Sequence, residues 1–164
     1  MIWFAISFAV IVIDQALKYY MSSILPLCEP GYCKSIEVLP VFKFTLLHNT
    51  GAAFSFLAEA GGWQRWLLGG ISIGVSAVLV VWLFRVDHRD KILALALALI
   101  LGGAVGNLID RVMLGYVVDF IVVHYKEYYF PAFNIADSAI SVGAGLLIVD
   151  LFYKPKAMRS ESHG

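Results

Sequence analysis

Four long apolar stretches, interrupted by polar segments, set the organisation of the chain: about 2–20, 63–84, 92–109 and 135–153. Each is long enough to cross a hydrocarbon layer about 30 Å thick as a helix. The pattern predicts an all-α membrane protein, a bundle of four transmembrane helices, with two longer loops at about 21–62 and 110–134 and a tight charged turn between the second and third spans. The first loop carries a different rhythm. Ile36 to Leu47 mixes β-branched and aromatic residues in partial alternation, and His48-Asn49-Thr50-Gly51 reads as a turn before Ala52 to Phe56, so a small sheet is expected. Its apolar side chains (Val41, Phe42, Phe44, Leu46, Leu47, Phe54, Phe56) are too many for a freely solvated loop and predict that it lies on the membrane surface or over the bundle. Tyr125, Tyr128, Tyr129 and Phe130 in the second loop read as an interfacial aromatic belt. Gly70 with Gly74, and Gly102 with Gly106, have the spacing that lets helices approach closely in lipid.

Composition agrees. Of 164 residues 60% are hydrophobic and 15% charged, against an apolar share of about 45–50% in soluble domains. The length accommodates one integral membrane unit, 1–164, with no separate soluble domain. Net charge is zero and the basic residues form no run beyond Lys154, Lys156 and Arg159, which excludes a nucleic-acid footprint. Three Lys or Arg in the turn Arg85 to Lys91 and three in the tail, against Lys34 and Lys43 alone between Met21 and Trp63, put both termini on the cytoplasmic side and both long loops outside. The N-terminal apolar run has no basic region before it and no small-residue cleavage site, and Asp14, Gln15 and Lys18 interrupt it, so it reads as a span. Cys28 and Cys33 lie in the first loop, where an oxidising space would permit a local disulfide; a metal site needs more ligands than this spacing supplies.

The chemistry concentrates in carboxylates. Asp119 and Asp137 sit in apolar sequence with no neighbouring cation. An ionisable group near hydrocarbon costs roughly 2.5–3.5 kcal/mol at a helix centre, which marks it as a functional candidate. Two such carboxyls brought together can share one proton, one activating water while the other donates a hydrogen bond, as in an aspartic protease. Each has a blander reading. Asp137 falls at the third position of a helix that Asn134 would cap, and Asp119 can be an inward carboxylate bonded to loop backbone. Asp14 and Lys18, one turn apart, read as a mutually neutralising pair near the outer end of the first span. Asn107 and Arg111 share a face at the end of the third span, either as a hydrogen-bonded helix terminus or as a wall presenting an amide and a guanidinium to a peptide or to lipid. His48, His88, His124 and His163 are scattered and lack zinc-ligand spacing. Ser55, Ser138 and Ser141 leave a serine hydrolase open, although no nucleophile-elbow glycines surround them. A proton-coupled transporter relaying through Asp14, Asp119 and Asp137, or an assembly protein whose aspartates merely cap helices, are the rivals from other classes.

Five blocks in this order resemble the bacterial lipoprotein signal peptidases, signal peptidase II: Asp14-Gln15-x-x-Lys18; Asn49-Thr50-Gly51-Ala52-Ala53-Phe54-Ser55; Gly102-Gly103-Ala104-x-Gly106-Asn107-Leu108-Ile109-Asp110-Arg111; Val117-Val118-Asp119-Phe120; and Phe133-Asn134-x-Ala136-Asp137-Ser138. The resemblance covers nearly the whole chain. It implies an aspartic endopeptidase of the bacterial inner membrane, with a small extracytoplasmic β-cradle and a short surface helix beside the four spans. The implied substrate is a diacylglyceryl-modified prolipoprotein, cut just before its lipid-bearing cysteine. It maps the catalytic pair onto Asp119 and Asp137, and supporting positions onto Asp14, Lys18, Asn49, Gly103, Asn107, Arg111, Asn134 and Ala136. It implies no cofactor and no metal, contact with membrane lipid, and inhibition by globomycin-type cyclic peptides; a monomer is expected.

Overall fold

The computed structural model describes residues 2–51, 63–87 and 89–153. The expected strand at 52–56, the tail basic residues, His88 and His163 lie outside them. Four helices, α1 (Ile2–Ile24), α2 (Trp63–Arg85), α3 (Lys91–Met113) and α4 (Ile135–Tyr153), are each long and apolar enough to cross a membrane. Between them run β1 (Ser35–Leu39), β2 (Phe42–Asn49), β3 (Val117–Tyr125) and β4 (Tyr128–Tyr129), which form one antiparallel sheet in chain order. The short surface helix has no counterpart among the described residues.

Helix α3 is the axis of the bundle and touches each of the other three. Its buried face is built from Ala94, Ala96, Ala98, Gly102, Gly103, Ala104 and Gly106, which lets neighbouring backbones approach closely where lipid gives little hydrophobic drive for association. A Cβ on Gly106 would stand 2.9 Å from Asp14 Oδ2, and one on Gly103 would run into the carbonyl oxygen of Ala136. Gly102 meets α1 at Val10. Gly70 and Gly74 behave differently: a Cβ on either would meet nothing within 4 Å among the described residues, so that pair does not seat one described helix on another. The spacing alone could not distinguish a face turned to a helix from one turned outward.

Helix α3 also runs on to Met113, past the expected end near Ile109, so Asp110 and Arg111 are helical and not part of a loop. Gly115, at φ +90°, then turns the chain into β3, and Arg65 of α2 donates from Nη2 to Val112 O at 2.7 Å.

The second loop holds the largest departure from expectation. Val117 to Tyr125 is a strand, and it supplies the sheet partner of β2. Leu47 faces Asp119 and Asn49 faces Val117 across that ladder, with an irregularity between Phe44 and Leu47. Phe120, Val118, Ile121 and Leu46 pack with Met21 of α1 and with Leu25 just past its end, so the sheet is fastened to the end of the bundle by an apolar cluster. Burying a side chain such as Phe120 stabilises by about 1.5–3 kcal/mol. Tyr125, Tyr128, Tyr129 and Phe130 are exposed, as an aromatic belt requires. A disulfide joins Cys28 to Cys33.

Candidate active site

Asp119 leaves the middle of the β2–β3 ribbon and Asp137 the first turn of α4, and both carboxylates line one cavity of about 740 Å³. Asn49, Asn107 and Arg111 line the same cavity, as do the apolar Phe130, Phe133, Ile140 and Val142. Its lining therefore combines polar and apolar side chains.

Side-chain amides hold the two carboxylates. Asp119 Oδ2 accepts from Asn49 Nδ2 at 3.1 Å and Oδ1 from Asn134 Nδ2 at 2.8 Å. Asp137 Oδ1 accepts from Asn107 Nδ2 at 2.7 Å. Asn134 Nδ2 also reaches Asn107 Oδ1 at 3.2 Å, so a two-amide bridge runs from one aspartate to the other. The predicted cap is present: Asn134 Oδ1 accepts the Asp137 N–H at 2.9 Å. Asp119, in contrast, is bonded among the described residues to the side chains of Asn49 and Asn134.

Burial, and after it the charge of Asp137, pushes the Asp119 carboxyl up to about 7, against the bonds from Asn49 and Asn134 and the charge of Lys18. Asp119 therefore titrates near neutral pH. His48, which also lines the cavity, stacks on Tyr116 with ring centroids 3.8 Å apart, and burial lowers its pKa. Arg111 is thus the cation at the cavity wall among the described residues; it donates to Asn107 O at 3.3 Å and to Gly51 O at 3.4 Å.

The remaining expected residues lie behind this wall. Lys18 is 3% exposed and its ammonium meets Asp14 Oδ2 at 2.8 Å, Asp110 Oδ2 at 2.8 Å and Asn107 Oδ1 at 3.0 Å. Three donors thereby find three acceptors, which a buried ammonium requires. The pairing of Asp14 with Lys18 is as the spacing suggested. Asp110, one of the residues that by sequence end the third span, is a third member whose pairing with Lys18 the spacing did not show. Gln15 joins it, donating from Nε2 to Asp110 Oδ1 at 2.8 Å. Ala136 is fully buried against Gly103 and donates its N–H to Asp14 Oδ1 at 2.8 Å.

The signal peptidase (SPase) II family profile, of peptidase family A8, matches residues 6–153. The chain belongs to the signal peptidase II family. It is 55% identical over 157 residues to the lipoprotein signal peptidase of Pseudomonas putida, covering 94% of this chain and 89% of that protein. With the lipoprotein signal peptidase of Acinetobacter baylyi it shares 50% identity over 163 residues, 98% of this chain and 88% of the relative. Among solved structures, a bacterial membrane enzyme determined by the in meso method at 2.3 Å superposes with a TM-score of 0.80 at 33% identity, covering 92% of this chain and 87% of that one. A second, at 1.9 Å, gives a TM-score of 0.78 at 32% identity over 93% and 94% of the two chains. The protein is accordingly a multi-pass membrane peptidase with a four-helix, single-sheet architecture.

Proposed function

We propose that the protein is an aspartic endopeptidase that removes the signal peptide from diacylglyceryl-modified prolipoproteins, cutting just before the lipid-bearing cysteine, with Asp119 and Asp137 as the catalytic pair. The observation that carries this reading is that two carboxylates, one from strand β3 and one from the first turn of α4, line one cavity. One of the pair takes a proton from a water whose oxygen attacks the scissile carbonyl carbon; the other, protonated, donates to the carbonyl oxygen. Collapse of the tetrahedral intermediate breaks the C–N bond, and the leaving nitrogen takes its proton from the pair. The acid and base roles belong to the coupled pair and not to either residue. No metal and no covalent intermediate enters the step.

Asn49, Asn107 and Asn134 orient the carboxylates, and Arg111 meets substrate backbone or lipid polar groups at the cavity wall. The apolar side chains of the lining suit a hydrophobic signal segment. The sheet holds the residues beside the cleaved bond and closes over them. A cavity at the sheet end of the bundle lets the substrate's lipid remain in the bilayer while its peptide bond meets water.

The same reading makes 1–164 one membrane domain of the bacterial inner membrane, with cytoplasmic termini and an outward-facing site. It acts as a monomer on lipidated substrate and is blocked by globomycin-type cyclic peptides.

The test is to substitute Asp119→Asn and Asp137→Asn separately, verify insertion and folding, and assay cleavage of lipid-modified substrate beside its unmodified twin. Turnover is expected to fall at least about a thousandfold in each variant, in proportion to the loss of an essential acid–base group. Retained turnover in either removes that residue from the pair, and equal cleavage of both substrates removes the lipid requirement.

A further inference from the structure

Each proposed catalytic aspartate is preceded by a residue whose backbone N–H is held by a buried acid. Val118 N donates to Asp110 Oδ2 at 3.1 Å, and Ala136 N donates to Asp14 Oδ1 at 2.8 Å. The two acids come from different helices, and Lys18 joins them with a 2.8 Å contact to each. All three are at least 97% buried: Asp14 is 0% exposed, Asp110 2% and Lys18 3%. None of the three lines the cavity with Asp119 and Asp137, so none is in position to touch substrate there.

We infer that Asp14, Lys18 and Asp110 form a two-armed clamp that sets the position of β3 relative to the first turn of α4, and through it the relative placement of the two catalytic carboxylates. They are positioning residues, and the inference rests on the dyad reading above. One arm fixes the strand at Val118 and the other the helix at Ala136, one residue before each aspartate, where small backbone displacement passes directly to the following side chain. The ammonium makes the arms one unit, because neither acid can withdraw without leaving the other to neutralise a buried cation alone. A third contact, Lys18 Nζ to Asn107 Oδ1 at 3.0 Å, turns that amide so that its Nδ2 faces Asp137. Gln15 steadies the Asp110 arm through Oδ1 and also donates to Gly106 O at 3.2 Å.

Asp110→Ala tests one arm while leaving Lys18 paired with Asp14, so the buried cation keeps a counter-ion. Misplacement by about 1 Å lowers turnover about a hundredfold. The expected result is therefore a fall in kcat of about that size, with KM for lipidated substrate within about threefold of the wild type. Asp110→Asn, which restores an acceptor for Val118 without the charge, should recover about tenfold. Amide exchange measured by NMR reports the clamp independently of turnover: Asp110→Ala should accelerate exchange at Val118 and spare Ala136, and Asp14→Ala should do the reverse. If Asp110→Ala fails to fold, Gln15→Met leaves every charge in place and should give the same selective exchange at smaller amplitude. A rise in KM at unchanged kcat, or a fall in kcat with Val118 exchange unaltered, overturns the clamp. Turnover retained by Asp119→Asn overturns the dyad and leaves the exchange prediction standing, so the two failures are distinguishable.

Discussion

Asn134 Nδ2 donates to Asn107 Oδ1 at 3.2 Å, which ties the cap of α4 to the residue of α3 that reaches Asp137. The same Asn134 serves both aspartates, accepting the N–H of one and donating to the carboxylate of the other. Its two functions are chemically separable.

Asn134→Ala removes cap and donor together and should lower stability by about 1–2 kcal/mol while abolishing most turnover. Asn134→Ser keeps a neutral capping oxygen for the Asp137 N–H but carries no amide to hold Asp119. Thermal unfolding should therefore return toward wild type in Asn134→Ser, and cleavage should not. Recovery of both would mean that Asn134 is only a cap.

The buried Asp119 carboxyl, raised from 3.8 to about 7, makes a prediction of definite sign. Below the unfolded value both states hold the proton and no charge is buried. As pH rises through about 7 the folded state ionises too, and the stability associated with the neutral form is lost. Midpoints of thermal unfolding should fall between about pH 4 and 7 more in wild type than in Asp119→Asn. Turnover should decline on the alkaline side of about 7, where the pair loses its shared proton, and this is read from kcat against pH. A wild-type stability profile parallel to that of Asp119→Asn would refute the assignment.

Glycine positions give a contrast between packing and spacing. Gly106→Ala would press a methyl against Asp14 Oδ2, 2.9 Å away, and Gly103→Ala would press one into the α4 backbone at Ala136. Each should destabilise by about 1–3 kcal/mol and depress cleavage. Gly74→Ala meets nothing among the described residues and should be neutral or stabilising by up to about 1 kcal/mol, the gain in helix propensity. Thermal unfolding of the three variants checks the order.

Much of this was legible in the chain because it is local. Long apolar runs specify helices wherever lipid offers no other partner for backbone groups, and α2 and α4 fall within a residue of their expected limits. The Asn134 cap, three residues ahead of Asp137, is a property of a single turn. The β1–β2 segment showed its strand character through its own residues. What was missed is non-local. Val117 to Val123 is almost uniformly apolar, so it shows neither alternation nor helical period, and only its pairing with β2 makes it a strand. Asp110 lay one residue past the expected end of α3, where an extra helical turn converts a loop acid into a buried partner of Lys18.

The sequence by itself determined four spans, a sheet in the first long loop, an N-capped fourth helix and the identity of two isolated acids, because each depends on residues within a few turns of one another. Only the tertiary structure decided that β3 lies beside β2 and that Lys18 joins two acids. It also decided that Asp119 and Asp137 open onto one cavity. Those facts depend on how separate elements meet, which is set by the close approach of α1 and α4 to the small residues of α3 and by the pairing register of the sheet.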